Sequence, residues 1–179
     1  RVSPKLGLEH IQLPSNSPVT CGSVNDTELI FGHADGSVST FEDSILDEGS
    51  LVTSIALGPY GWISGHEDGS ISMKTKSETL PGSIDSVEIV ETIGWASSFD
   101  GMNVQIMILG EEANTIFHDS RLRQMDSSSN GIVLGDDQGR VYFVESKIMQ
   151  RRMNSQLEET ENDSKNSDLR ARLRMLRNR

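Results

Sequence analysis

Cysteine is nearly absent from this 179-residue chain. Cys21 is the only one, which excludes an internal disulfide framework and a cysteine-based zinc cluster. A lone thiol fits the reducing interior of a cell better than an oxidising compartment. Aromatic residues are also scarce, at 5% of the chain, so a core has to be assembled from Ile, Val and Leu. No apolar run reaches the roughly 20 residues that a membrane-spanning helix needs. Residues Arg1 to Leu13 are broken by Pro4 and Gly7 and hold Glu9 and His10, so they do not read as a signal peptide. The chain opens on Arg rather than Met, which reads as part of a longer protein. Proline does not recur after Pro81 or glycine after Gly139, so the last part of the chain lacks both residues that punctuate the rest.

Charge divides the chain at the same place. Residues 1–146 hold 7 basic and 22 acidic side chains, a net of −15, whereas 147–179 hold 9 basic and 5 acidic, a net of +4. The acidic body would repel a phosphate backbone, so any nucleic-acid contact would have to come from the basic tail. We therefore read a body over 1–146 and a separate, Arg-rich tail over 147–179.

The body repeats. Leu29-Ile-Phe-Gly-His-Ala-Asp-Gly-Ser-Val aligns with Trp62-Ile-Ser-Gly-His-Glu-Asp-Gly-Ser-Ile. Trp95-Ala-Ser-Ser-Phe-Asp-Gly and Ile132-Val-Leu-Gly-Asp-Asp-Gln-Gly-Arg-Val extend the series. Gly36, Gly69, Gly101 and Gly139 fall 33, 32 and 38 residues apart. Each copy predicts a β-hairpin: an apolar strand, an Asp-Gly or Gln-Gly turn whose glycine takes a positive φ, and a strand of period two. Another apolar stretch lies about ten residues before each hairpin, at 19–24, 51–57, 87–93 and 122–125. Segments 44–46 and 115–118 supply candidate fourth strands. Three or four antiparallel strands per repeat is the pattern of a propeller blade.

The recurring small-Gly-x-x-Asp-Gly-Ser-Val/Ile hairpin over residues 18–145 resembles that of divergent WD-repeat β-propellers. It lacks the terminal Trp-Asp pair, with Phe41-Glu42 the nearest echo, and His33 and His66 fall inside the hairpin. The resemblance implies an all-β fold of about four blades, in a ring that is either compact, incomplete or completed by a partner. Arg1 to Asn16 would then supply an outer strand to a neighbouring blade. It also implies a non-enzymatic scaffold, a subunit of a larger complex; the acidic body with its Arg-rich tail would suit an intracellular place, the nucleus or nucleolus before the cytoplasm.

The tail reads as helix. Ile148, Met149, Met153 and Leu157 share one helical face, and Ser167 is an N-cap for a final segment. There Leu169, Leu173 and Leu176 form a stripe among Arg170, Arg172, Arg174 and Arg177. These residues are the candidate partner-binding site, suited to an apolar groove with an acidic rim. Packing on the acidic body itself, or contact with RNA or an anionic membrane surface, are the alternatives.

Catalytic signals are weak. There is no Gly-x-Ser-x-Gly elbow, phosphate-binding loop or His-Glu-x-x-His motif. His33, His66 and Asp136 occupy one repeat position and would serve either as metal ligands or bases, or as hydrogen-bonding groups within the blade. Asp35, Asp68 and Asp100 fit turn chemistry better than calcium loops. Trp62 and Trp95 align as the openings of corresponding strands, and Cys21 reads as a small buried residue. No metal or cofactor is expected. A propeller hydrolase or lyase, with a cation or small molecule in a central channel, is the competing reading.

Overall fold

The computed structural model describes residues 2–3, 7–8, 11–59, 61–109, 113–149 and 151. Strands account for nearly all of their regular structure. Residues 1–143 form one compact unit and 144–179 a second.

The repeats become sheets, and each is an antiparallel meander whose order in space follows order along the chain. The first sheet comprises β3 (Val19–Val24), β4 (Leu29–His33), β5 (Val38–Ser39) and β6 (Ser44–Leu46). β7 (Val52–Gly58), β8 (Gly61–His66), β9 (Ser70–Met73) and β10 (Ser77–Thr79) make the second. The third contains β11 (Ser83–Val90), β12 (Ile93–Phe99), β13 (Val104–Leu109) and β14 (Ala113–His118). A three-stranded fourth sheet follows, from β15 (Leu122–Ser128), β16 (Gly131–Asp136) and β17 (Val141–Glu145). At the start of the chain, β1 (Val2–Ser3) pairs with β2 (Gly7–Leu8) in a ribbon of its own. The expected outer strand for a neighbouring sheet is therefore not what these residues form.

The turn glycines have the predicted backbone: Gly36, Gly69, Gly101 and Gly139 lie at φ of 86°, 87°, 100° and 79°. The aspartates beside them do local work. Asp35 accepts the Ser37 amide and hydroxyl, and Asp68 accepts those of Ser70, the Asx-type bonding that makes Asp a turn residue.

Consecutive sheets meet along their first strands, β3 beside β7, β7 beside β11, and β11 beside β15. Ile30, Val38, Val52 and Ile55 bury the first contact. Ala56, Ile63, Ile71, Ile84, Val87, Ala96 and Met107 bury the second. Two alternating faces per strand explain this economy: one set of positions meets the preceding sheet and the other meets the following one. Few aromatics are needed because the Ile/Val/Leu core is divided into thin layers. Besides the β1–β2 ribbon, the described residues form four separate sheets of three or four strands and no closed propeller.

One register differs from the alignment by sequence. Ser98 pairs with Ile84 as His66 pairs with Val52, so Trp95 corresponds to Ile63, not to Trp62. A one-residue slip moves a side chain to the opposite face. Trp62 packs in the layer between the first two sheets. Trp95 is buried at the position that faces onward along the array.

In the second unit the chain is helical over 146–149. The candidate partner-binding residues Leu169, Arg170, Arg172, Leu173, Arg174, Leu176 and Arg177 lie outside the described residues.

Candidate functional site

The two repeated histidines are committed to their own sheets. His33 Nδ1 lies 3.1 Å from the Ser17 carbonyl, and Nε2 lies 2.8 Å from the Ser39 hydroxyl. His66 repeats this with the Ser50 carbonyl at 2.8 Å and the Ser64 hydroxyl at 3.0 Å. A carbonyl only accepts, so each ring donates from Nδ1 and Nε2 takes the serine proton in the neutral form. Both rings are buried with both nitrogens used. Of the two readings open for this repeat position, the hydrogen-bonding one describes both histidines. Among the described residues, no group of three or more His, Cys, Asp or Glu is placed to hold a metal ion.

In the fourth sheet this position is Asp136, and here the chemistry departs from the repeat. Asp136 accepts from the Arg140 Nε at 2.7 Å, the Arg140 amide at 2.8 Å and the Gln138 amide at 3.0 Å. The Tyr142 hydroxyl donates to it at 3.3 Å. Burial works against ionisation of Asp136, but these Arg140 contacts outweigh it and hold the carboxyl below its ordinary range. Arg140 also donates to both oxygens of Asp119, at 3.1 and 2.8 Å, and to the Ser120 hydroxyl. One guanidinium thus ties two carboxylates, a geometry for which its planar fork is suited. His118 stands edge-on to Tyr142, and its Nε2 lies 3.6 Å from Asp136. That nitrogen is buried without a hydrogen-bond partner. Asp136, already ionised and saturated by donors, is a poor proton acceptor near neutral pH, so the cluster fastens the hairpin. Arg140 replaces the serine found after the turn glycine at Ser37 and Ser70. That exchange was the visible signal for this cluster, and sequence reasoning passed over it.

A second set of polar contacts joins the sheets. Each first strand has a bulge at one place, at Thr20, Thr53, Asp85 and Arg123 in turn. Thr20 Oγ1 lies 2.6 Å from the Val52 carbonyl, and Thr53 Oγ1 lies 2.7 Å from that of Ile84. Asp85 instead takes a bidentate pair from Arg121, whose guanidinium also lies 4.7 Å from the Phe99 ring centre. The bulge residue is therefore the sheet's polar link to its successor. Arg123, in the fourth sheet, is exposed.

The apolar face around Arg123 is exposed as well. Ile30, Ile63 and Trp95 hold corresponding positions in the first three sheets, at 1%, 5% and 2% exposure. Val133 holds that position in the fourth, at 40%. Val38 and Ile71, six residues beyond Gly32 and Gly65, are 0% exposed, whereas Val141, six beyond Gly135, is 72% exposed. Phe143 is exposed beside it. At the other end of the array, Val19, Val24 and Phe41 are exposed on the first sheet. A shallow depression of about 320 Å³ lies near that end, lined by residues including Ser15, Asp35, Ser37, Asp47 and Glu48. Asp35 is already held there by Ser15 and Ser37.

No family model matches the chain, and no curated protein matches it in sequence. Solved structures do share its fold. The computationally designed Ika4 protein is 19% identical, with a TM-score of 0.59, over 78% of this chain and 99% of that one. The computationally designed Ika8 protein is 18% identical, with a TM-score of 0.57, over 73% of this chain and 46% of that one. This chain thus spans less than half of the second. Likeness at this identity is one of fold alone.

These findings overturn the WD-repeat resemblance: the sheets are separate, no ring closes among the described residues, and the two structural neighbours named above are designed proteins. The Gly-x-x-Asp-Gly-Ser signature is explained by local physics. Asp supplies the acceptor and Gly the positive φ of a tight hairpin, a recipe open to any protein that needs such a turn.

Proposed function

We propose that the chain is a non-enzymatic interaction scaffold, an open, propeller-like arc of four blade-like sheets whose uncovered end faces bind protein. The observation that carries this reading is the exposure of Val133 and Val141 at positions whose counterparts are buried in earlier sheets, with Phe143 exposed beside them. Contiguous apolar surface of this kind is costly to leave in water and marks interaction sites. The titratable groups support the same reading: the repeated histidines, Asp35, Asp68 and Asp136 are engaged in their own hairpins. The Leu/Arg segment 167–179 would be a second attachment, to an apolar groove with an acidic rim.

A photo-crosslinking side chain at position 141, used in the protein's own cells, tests the reading against the same group at exposed Glu67, in a hairpin turn of the second sheet. Protein adducts concentrated at 141 are expected. Equal yields at the two positions would refute it.

A further inference from the structure

The fourth sheet keeps a glycine that its surroundings do not require. Gly32, Gly65 and Gly135 are equivalent in register, each paired with the residue two beyond the first residue of its first strand: Cys21, Ser54 and Gln124. A Cβ on Gly32 would meet Val52 Cγ1 at 2.5 Å, and one on Gly65 would meet Ile84 Cγ2 at 2.3 Å. The glycine is needed because the first strand of the next sheet presses a β-branched side chain onto it. A Cβ on Gly135 would come no closer than 4.0 Å to the Gln124 carbonyl oxygen. Its φ is not among the positive values either.

The residue that fills this place is also left over. Val52, Ile84 and Leu122 open the ladders of the second, third and fourth sheets and are 0%, 1% and 0% exposed. Their counterpart in the first sheet is Val19, paired with His33 and 49% exposed. Among the described residues the chain thus carries both halves of its repeated sheet–sheet contact, one unused at each end.

Resting on the scaffold reading above, we propose that the partner of the fourth sheet is a second copy of this chain. Val19 of one copy seats on Gly135 of the other, and Val24 covers the region of Val133, Val141 and Phe143. The contact continues the internal one in residue type and register. It is heterologous, with different patches on the two copies, and two such contacts join one pair of chains.

Sedimentation velocity of the full chain at micromolar concentration tests this, alongside Gly135→Val and Val19→Asp. Both sites are open in the single chain, so the thermal melt of each variant dissociated by dilution should match the wild type. The wild type is expected as a dimer. Overpacking costs equivalent to one or two tenfold steps predict that Gly135→Val weakens the dimer roughly 10- to 100-fold, and Val19→Asp should weaken it similarly. Mixing the two variants restores dimer above either alone, because one of the two contacts is then wild type on both sides. A monomeric wild type, or a dimer indifferent to both substitutions, would overturn the proposal. A monomeric protein that still crosslinks through position 141 to a different protein would sink the second-copy inference and leave the scaffold reading standing.

Discussion

The Thr53 hydroxyl lies 2.7 Å from the Ile84 carbonyl and 3.0 Å from that of Gly65, on its own sheet. A bulge turns this side chain out of the ladder's alternation, and the hydroxyl then links two sheets that share no strand. Thr20 holds the same post one repeat earlier, between Val52 and Gly32. Thr53→Val keeps the shape and removes the donor, so it should lower stability by about 1 kcal/mol. Thr53→Ser should retain most of it. Urea unfolding of both variants decides: equal losses would mean that packing, not the hydroxyl, matters there.

Gly65→Ala places a methyl group 2.3 Å from Ile84 Cγ2 and 2.8 Å from its Cβ. Separation of the second and third sheets by even a few tenths of an ångström spreads through a close-packed layer. A loss of about 1–3 kcal/mol is expected. The same change at Gly135 should leave the unfolding of a single chain unaltered. If Gly65→Ala unfolds like the wild type, the sheets do not approach as closely as described.

His66→Phe would fill the buried site but strip the Ser50 carbonyl and Ser64 hydroxyl of their partner. Unsatisfied buried groups cost more than an absent pair, so a loss of about 2 kcal/mol is expected. Thermal unfolding measures it. A neutral result would show that the ring acts only as filler.

Acid should weaken the fold through the turn aspartates. The Ser37 hydroxyl holds Asp35 below the usual aspartate range, and the Ser70 hydroxyl does the same for Asp68. A depressed folded-state value means that this stabilisation is complete above the unfolded value, near 4. It disappears as pH falls through the lower folded value. In urea titrations below about pH 4, the Asp35→Asn/Asp68→Asn double variant should lose stability less steeply than the wild type. Parallel slopes would count against these two residues.

Burial pushes the Cys21 thiol up, with the Thr20 and Gly32 contacts opposing it. Thiolate is the reactive form, so a disulfide reagent at pH 8 should label Cys21 more slowly than a free cysteine. Labelling as fast as the free thiol would place Cys21 at an open surface.

Much of the array was legible in the chain. The Asp-Gly hairpins, the alternating strands after them and the apolar stretches 19–24, 51–57 and 122–125 became strands of successive sheets, whereas the stretch 87–93 is broken by a turn at Glu91, between β11 and β12. The histidine positions were legible too, since a polar residue repeated inside a hairpin finds its partners within its own repeat, one on the hairpin and one just before the sheet's first strand. Trp95 was not, because its face depends on a pairing offset of one residue that the loose third repeat conceals. The Asp119–Arg140–Asp136 cluster was missed because residues 21 positions apart meet there only after two sheets have formed. The family resemblance failed for a related reason: a hairpin recipe reports its turn, not the assembly the turn serves.

The sequence by itself determined the number of repeats, the hairpin at the centre of each, and the scarcity of aromatics that thin layers tolerate. Those features rest on local forces: turn geometry, period-two alternation and hydrogen bonds within a few residues. Only the tertiary structure decided which face of each strand meets the next sheet, and hence that Gly32 and Gly65 are pressed by a neighbour while Gly135 is not. Among the described residues the first sheet follows no other in the array and the fourth precedes none, so identical local rules leave Val19 and Val141 exposed at the two ends.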